Sequence, residues 1–254
     1  MIELQTSYSL TRVPYITFEA LDDYAEDLIA DFMPELLNTP GWLNTDKFLE
    51  YYLGLQAEYH RICYDRKILG ITAFSDGVLR VADEDSGRPK KLPVTKGTVL
   101  IDSSLMIRWN RSRLRFTTMH ECSHWILHKE TFAEDNPFKP VALYEEQYMA
   151  AKEGRADYSR SMKEQTDIER IERQADFLAA ALLMPRPALR IVYRNYFKLH
   201  GMKPRRIVIG KSPVDNFHAE LLPFHVADEF GVSIIAARIR LEKLTAIVRG
   251  NTWR

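Results

Sequence analysis

The segment RFTTMHECSHWILH, residues 115–128, constrains this chain most, because it places three histidines at intervals of four residues. Side chains at positions i and i+4 of an α-helix lie on one face, one turn apart. His120 and His124 can therefore direct two ring nitrogens at a common point. The segment contains no proline or glycine, so it favours a helix with two metal ligands on one face.

Glu121 follows the first of these histidines and is the candidate catalytic base. On a helix it is turned about 100° from His120 around the axis, so it lies beside a metal held by the histidines. Zinc hydrolases need this combination, with neutral imidazoles as ligands and a nearby carboxylate that accepts a proton from water. Chance alone produces the pattern in about one chain in a hundred of this size, so a second signal is required.

A catalytic zinc takes a third protein ligand and leaves a fourth position open. One known arrangement places a Gly and then a His after the second histidine at intervals of three, but Leu127 and Glu130 occupy those positions. His128 shares the face of His120 and His124 but lies about 6 Å further along the axis than His124. Because three turns of one straight helix do not converge on a tetrahedral ion, we expect His128 behind the ligands or at the surface.

A glutamate on a second helix is the other source of a third ligand. Residues 170–185, RIERQADFLAAALLMP, combine a stripe of small and apolar side chains with a terminal proline, which predicts a closely packed helix. Glu172 is the candidate ligand on this helix. Asp176 lies one turn later on the same face and can accept the outer N–H of a ligating histidine, which fixes the histidine tautomer. The plainer alternative is an exposed charged turn that leads into a buried helix.

The two segments resemble the two signatures of the ImmA/IrrE family of zinc metallopeptidases. RFTTMHECSHWILH is similar to the family's RFTLAHELGHLLLH, and IERQADFLAAALLMP is similar to its Glu-x-x-Ala-Asn segment followed by FAAxLLMP. Residues 51–62, 97–104 and 226–244 resemble further parts of the family. The resemblance therefore extends, with gaps, over most of the chain after its first helix.

The resemblance implies that His120, His124 and Glu172 bind zinc and that Glu121 is the general base. The implied substrate is a protein, typically a helix-turn-helix repressor whose cleavage releases transcription in a mobile-element or stress-response circuit. An extended substrate of this kind would pair with the free edge of a small sheet.

Departures from the family pattern leave the implied ligands and base in place. Residues 129–168 form a charged insertion between the two motifs, which we interpret as a lid, a substrate loop or a surface excursion. The departures within the motifs are Cys122 and Ser123, where Leu and Gly are usual, Gln174, where a second Glu is common, and Asp176, where Asn is common.

Hydrophobic periodicity outlines the remaining elements. Residues 18–33 predict an amphipathic helix and residues 46–55 a second helix. SDG at 75–77 is typical of a hairpin. Together these features predict an α+β, zincin-like domain with a small, largely antiparallel sheet beside two zinc-bearing helices. The predicted strands lie in three β-rich runs, at residues 67–74, 78–82 and 98–104.

We predict a metallopeptidase domain over residues 1–185 and a basic, helical region over residues 186–254. The formal net charge of the chain is zero, but the second region holds 13 Lys/Arg against 5 Asp/Glu. Residues 226–244 outline a helix-turn-helix with a tight turn at Gly231, so nucleic-acid binding is possible. We favour the alternative, a packed helical hairpin. Its core would contain Val226, Phe230, Ile234, Ile239 and Leu241.

Composition is typical of a globular protein, with 46% hydrophobic and 28% charged residues. The two cysteines, Cys63 and Cys122, favour a reducing compartment over a disulfide framework. The amino terminus lacks the basic start and apolar core of a signal peptide, and the longest apolar run is too short to span a bilayer. We therefore expect a cytoplasmic protein with no membrane partner.

Two functions of different class fit these features. The first is a zinc-dependent endopeptidase. The second is a non-catalytic regulatory protein that contains zinc and binds DNA or another partner. Glu121 discriminates between them, because a purely structural zinc site needs no base and tends to close with four protein ligands, usually including cysteine. We expect the endopeptidase.

Overall fold

The structure is a computed structural model that describes residue 4 and residues 6–83, 86–133 and 167–249. The chain divides into two compact units. Unit 1 contains Glu3–Leu21 and Asn44–Ala179, and unit 2 contains Asp22–Leu43 and Ala180–Arg254. The predicted domain division at residue 185 stays a prediction. Most of the predicted insertion, residues 134–166, lies outside the described residues.

Unit 1 contains a three-stranded sheet whose middle strand is Thr98–Asp102. Strand β3 (Gln56–His60) pairs parallel to β7 (Thr98–Asp102), and β4 (Gly70–Thr72) pairs antiparallel to β7. All residues of β7 are buried, as the apolar run of a central strand predicts. The sheet is therefore mixed, whereas the sequence predicted a largely antiparallel one. The α+β class itself agrees with the structure.

Strands β5 (Gly77–Val81) and β6 (Lys90–Val94) form a separate antiparallel hairpin. The hairpin predicted at residues 75–77 is wrong, because among the described strands β4 pairs with β7 and β5 pairs with β6. Asp76 instead accepts the backbone N–H of Lys96 at 2.8 Å, which ties the loop to the turn before β7. The hairpin packs on the sheet through a shared apolar cluster. This cluster contains Ile62, Ile68, Ile71, Ala73, Val81, Val94 and Leu100.

The predicted helices are present with small changes at their ends. Helix α1 spans Phe18–Phe32, and the second predicted helix is a short α2 (Thr45–Lys47) that continues as a π-helical turn over Phe48–Tyr52. Helix α3 spans Arg111–His128 and packs against β4 and β7. Helix α4 spans Asp167–Leu183. Strands β1 (Ser7–Tyr8) and β2 (Pro14–Tyr15) form a short antiparallel pair in unit 1.

Unit 2 is mostly helical. Helices α5 (Arg186–Leu199), α6 (Pro213–Phe230) and α7 (Ile234–Lys243) accompany a parallel pair of short strands, β8 (Ile207–Ile209) and β9 (Ile247–Arg249). Short 3₁₀ helices lie at Pro34–Leu37 in this unit and at Ser103–Met106 and Arg108–Asn110 in unit 1. Within the described ranges, no helix is both long and apolar enough to cross a membrane.

Helices α6 and α7 form the predicted hairpin, and Gly231 lies between them with a φ of 63°. A glycine is required there, because a Cβ at Gly231 would lie 2.5 Å from the indole ring of Trp42. Val226, Phe230 and Leu241 are buried as predicted.

The predicted core positions at Ile234 and Ile239 are wrong, because these side chains are 37% and 51% exposed. Helix α7 instead turns Ala237, Arg240 and Leu241 inward, at the spacing of one helix face. Arg240 can be buried because its guanidinium binds Asp22 at 2.5 Å and the backbone oxygen of Met184 at 3.2 Å. Arg240, paired with Asp22, is therefore buried in α7, whereas the apolar pattern predicted a buried Ile239.

Candidate metal centre

The three predicted ligands lie together in unit 1. Potential ligand atoms of His120, His124 and Glu172 all lie within 4.8 Å of one another. The Nε2 atoms of the two histidines, one turn apart on α3, are 2.9 Å apart. The Glu172 carboxylate, on α4, places its oxygens 3.4 Å from Nε2 of His120 and 3.6 Å from Nε2 of His124. Two imidazoles and one carboxylate form a donor set that suits a catalytic zinc ion.

Asp176 lies behind His120, on the side away from the cluster. Its Oδ1 is 2.9 Å from Nδ1 of His120. An ionised carboxylate only accepts, so Nδ1 of His120 donates to it. In a neutral imidazole this leaves a lone pair on Nε2, the nitrogen that faces His124 and Glu172. The structure thus shows the contact between Asp176 and His120, while the role of Asp176 beside a metal ligand stays a prediction.

His128 lies behind His124 and is fully buried, so the surface position considered for it is wrong. Its Nδ1 is 3.2 Å from Nδ1 of His124, and its Nε2 is 3.0 Å from Oε1 of Gln174. Gln174 in turn donates from Nε2 to the backbone oxygen of Pro14 at 2.7 Å. These contacts put His128 and Gln174 in a position to influence a ligand without binding a cation themselves.

Glu121, the predicted base, is held against β4. The side chain is buried, and the hydroxyl of Thr72 lies 2.8 Å from its Oε2. Gly70 leaves room for this carboxylate, because a Cβ there would lie 2.7 Å from Cγ and 2.8 Å from Cδ of Glu121. Gly70 and Thr72 share one face of the strand, as alternate residues do. The sequence motifs did not predict that Gly70 and Thr72 contact Glu121. The available signal was a glycine within a β-rich run, followed by a threonine two residues later on the same face of the strand.

The ionisable groups of the site perturb one another. Burial raises the pKa of Glu121 to about 7, although the charge of His120 and the hydrogen bond from Thr72 oppose this change. Burial lowers the pKa of His120, but hydrogen bonds with Asp176 and Glu172 outweigh it and raise the value to about 10. A carboxyl group that titrates near pH 7 can both accept a proton and return it under neutral conditions.

The pKa values of His124 and His128 are lowered, whereas that of His120 is raised. Burial lowers the pKa of His124, and the nearby His120 and His128 lower it further. Burial also lowers the pKa of His128 to about 4, despite its hydrogen bond with Gln174. Both imidazoles are therefore neutral at pH 7, and a neutral imidazole is the form that binds a metal.

Cys122 and Ser123 fill interior positions of α3 and lie outside the ligand cluster. Cys122 is fully buried, and burial raises the pKa of its thiol. A thiol of this kind is an inert core group, whereas a metal ligand would be a thiolate. The Ser123 hydroxyl donates to the backbone oxygen of Met119 at 2.7 Å. The two departures from the family pattern therefore leave the ligand cluster intact.

Residues 148–242 match a peptidase family model, whose description is IrrE N-terminal-like domain. The matched segment contains Glu172 and Asp176 and begins after helix α3, which carries the two histidines. No curated protein matches the chain. The match confirms the resemblance to the ImmA/IrrE family for the second motif, residues 170–185, and for residues 226–242, whereas the first motif, residues 115–128, lies outside the matched segment.

Proposed function

We propose that this chain is a zinc-dependent endopeptidase of the ImmA/IrrE type. The observation that supports the proposal is the convergence of His120, His124 and Glu172 next to the buried carboxylate of Glu121. A zinc ion bound by the three ligands would supply Lewis-acid chemistry, lowering the pKa of water and polarising the scissile carbonyl. The family match supports a metallopeptidase, and the donor set supports zinc.

The protein groups around the ligands have separate tasks in this proposal. Glu121 accepts a proton from the attacking water and passes it to the leaving amine. The Thr72 hydroxyl holds one oxygen of this carboxylate, and Gly70 leaves the space in which it lies. Asp176 orients His120 through Nδ1. The base is therefore positioned by a strand, whereas the ligands are positioned by two helices.

Strand β4 also offers a place for an extended substrate. Among the described strands it pairs on one edge, with β7, and its residues Gly70 and Thr72 contact Glu121. A peptide that adds to the other edge of β4 would form backbone hydrogen bonds along the strand and pass close to the base. This arrangement supports a protein substrate over a small molecule.

We propose a helix-turn-helix repressor as that substrate, on the basis of the family resemblance. The test is to incubate the zinc-loaded protein with a repressor encoded next to it and to identify fragments by mass spectrometry. Cleavage that stops after chelation and returns with zinc is the expected result. Tight binding of the repressor without cleavage would favour the non-catalytic regulatory protein instead.

Nucleic-acid binding by the basic carboxyl-terminal region is a weaker proposal. Several of its arginines are already neutralised within unit 2, which reduces the positive charge that phosphates could use. The pairs in that unit are Arg205 with Asp215, Arg238 with Glu220, Arg240 with Asp22, and Arg186 with Asp23 and Glu26.

Gly70→Ala should impair hydrolysis while leaving zinc content unchanged. The added methyl group would overlap the Glu121 side chain and displace the base from its position. Since small displacements of a catalytic group are costly, we expect kcat/KM to fall by about tenfold to a hundredfold. Gly77→Ala is the matched control, because a Cβ at Gly77 meets nothing within 4 Å. Equal activity of the two variants would contradict the placement of Glu121 against β4.

A further inference from the structure

We propose that a buried chain of hydrogen bonds, from Pro14 through Gln174 and His128, fixes the tautomer of His124 and prepares its Nε2 to bind a cation. The inference rests on the metal centre of the proposed function. It adds His128 and Gln174 as positioning residues, which act through His124.

The first link is the amide of Gln174, whose direction the backbone determines. Gln174 is 3% exposed, and its Nε2 lies 2.7 Å from the carbonyl oxygen of Pro14 in β2. A carbonyl oxygen can only accept a hydrogen bond, so the amide must direct its NH₂ group there. The other end of the amide, Oε1, therefore faces His128.

The second link is the hydrogen bond between Gln174 and His128. Oε1 of Gln174 lies 3.0 Å from Nε2 of His128 and can only accept, so this ring nitrogen carries a proton. A second proton on the ring would create a charge in a fully buried position, where its hydrogen-bond partners are a neutral amide and an imidazole. His128 is therefore neutral, with the lone pair on Nδ1.

The third link is the hydrogen bond between His128 and His124, which determines the tautomer of His124. Nδ1 of His128 lies 3.2 Å from Nδ1 of His124, and a hydrogen bond between them needs one donor. Because the lone pair is on His128, Nδ1 of His124 donates. Neutral His124 then has its own lone pair on Nε2, which faces Nε2 of His120 at 2.9 Å and the carboxylate of Glu172.

The two histidines thus donate from the same ring nitrogen, Nδ1, to different kinds of acceptor. His120 uses the carboxylate of Asp176, whose side chain is 60% exposed, whereas His124 uses two buried neutral groups. The amide at position 174 matters for this purpose. An ionised glutamate there could accept from His128 but could not donate to the carbonyl of Pro14.

The direct test is ¹⁵N NMR of the histidine rings in the metal-free full-length protein at neutral pH. The inference predicts a proton on Nδ1 of His124 and on Nε2 of His128. A proton on Nε2 of His124 would overturn it. Because this measurement needs neither zinc nor a substrate, it remains informative even if the chain turns out not to be a peptidase.

Substitutions test the same series of hydrogen bonds, with zinc affinity measured by chelator competition. His128→Leu removes the acceptor for His124, and we expect affinity to fall by about tenfold to a hundredfold. His128→Asn returns an oxygen near the position of Nδ1 and should recover most of the loss. Leu127→Ala perturbs the neighbouring core and should keep wild-type affinity. Unchanged affinity in His128→Leu, or an equal loss in Leu127→Ala, would contradict the inference.

Discussion

Glu121→Gln is expected to reduce hydrolysis by about a hundredfold or more while the protein still folds and binds zinc. The amide has almost the same shape as the carboxylate and can still contact Thr72, but it cannot accept a proton from water. The measurement is cleavage of the repressor at equal zinc content, together with the circular dichroism spectrum of each variant.

The control for this substitution is Glu130→Gln, which changes an exposed carboxylate just beyond α3. It should cleave at the wild-type rate. If Glu121→Gln also cleaves at that rate, Glu121 is not the base. If neither variant nor wild type cleaves while all three bind the repressor, the chain is a binding protein and the proposed activity is wrong.

Asp22→Ala should lower the free energy of unfolding by about 3–5 kcal/mol, because it leaves the guanidinium of Arg240 buried without its counter-ion. Asp22 and Arg240 are 5% and 2% exposed, and their charged atoms are 2.5 Å apart within unit 2. Urea denaturation measures the change.

The neighbouring residue supplies a matched control for this second substitution. Asp23 also binds an arginine, Arg186, but its side chain is 64% exposed. Asp23→Ala should therefore cost about 1 kcal/mol or less. Replacing both Asp22 and Arg240 by leucine should cost less than Asp22→Ala, since no uncompensated charge remains buried. Equal losses in Asp22→Ala and Asp23→Ala would contradict the role of this ion pair.

The clustering of His120, His124 and Glu172 could be predicted in part from the sequence because much of its geometry is local. Two histidines four residues apart share a helix face whatever the rest of the fold does. Glu172 and Asp176 likewise share a face of α4, so their placement side by side could also be predicted from the sequence. The remaining step, the approach of α4 to α3, followed from the resemblance and from the small side chains of residues 170–185.

The surroundings of Glu121 were not predictable in this way. Gly70 and Thr72 contact it because β4 lies beside α3, and that position depends on pairing with β7. Pairing between distant strands leaves little trace in a single sequence. The parallel pairing of β3 with β7 could not be predicted for the same reason. The sequence therefore predicted a largely antiparallel sheet.

The core of the α6–α7 hairpin shows a second reason why prediction from the sequence failed. Apolar periodicity assigned Ile239 to the interior, yet the buried neighbour is Arg240. The burial of an arginine depends on a partner that neutralises it, and Asp22 lies more than 200 residues earlier in the chain. Periodicity treats every charge as exposed, so it fails where a distant partner is available.

Elemental analysis of the purified protein tests the metal centre most directly. Wild type should contain about one zinc per chain, as a three-ligand catalytic site requires. Glu172→Ala should lose most of this zinc, whereas Glu169→Ala, which changes another glutamate of the same helix outside the ligand cluster, should retain it. Full zinc retention in Glu172→Ala, with or without a loss in Glu169→Ala, would show that the third ligand is not Glu172.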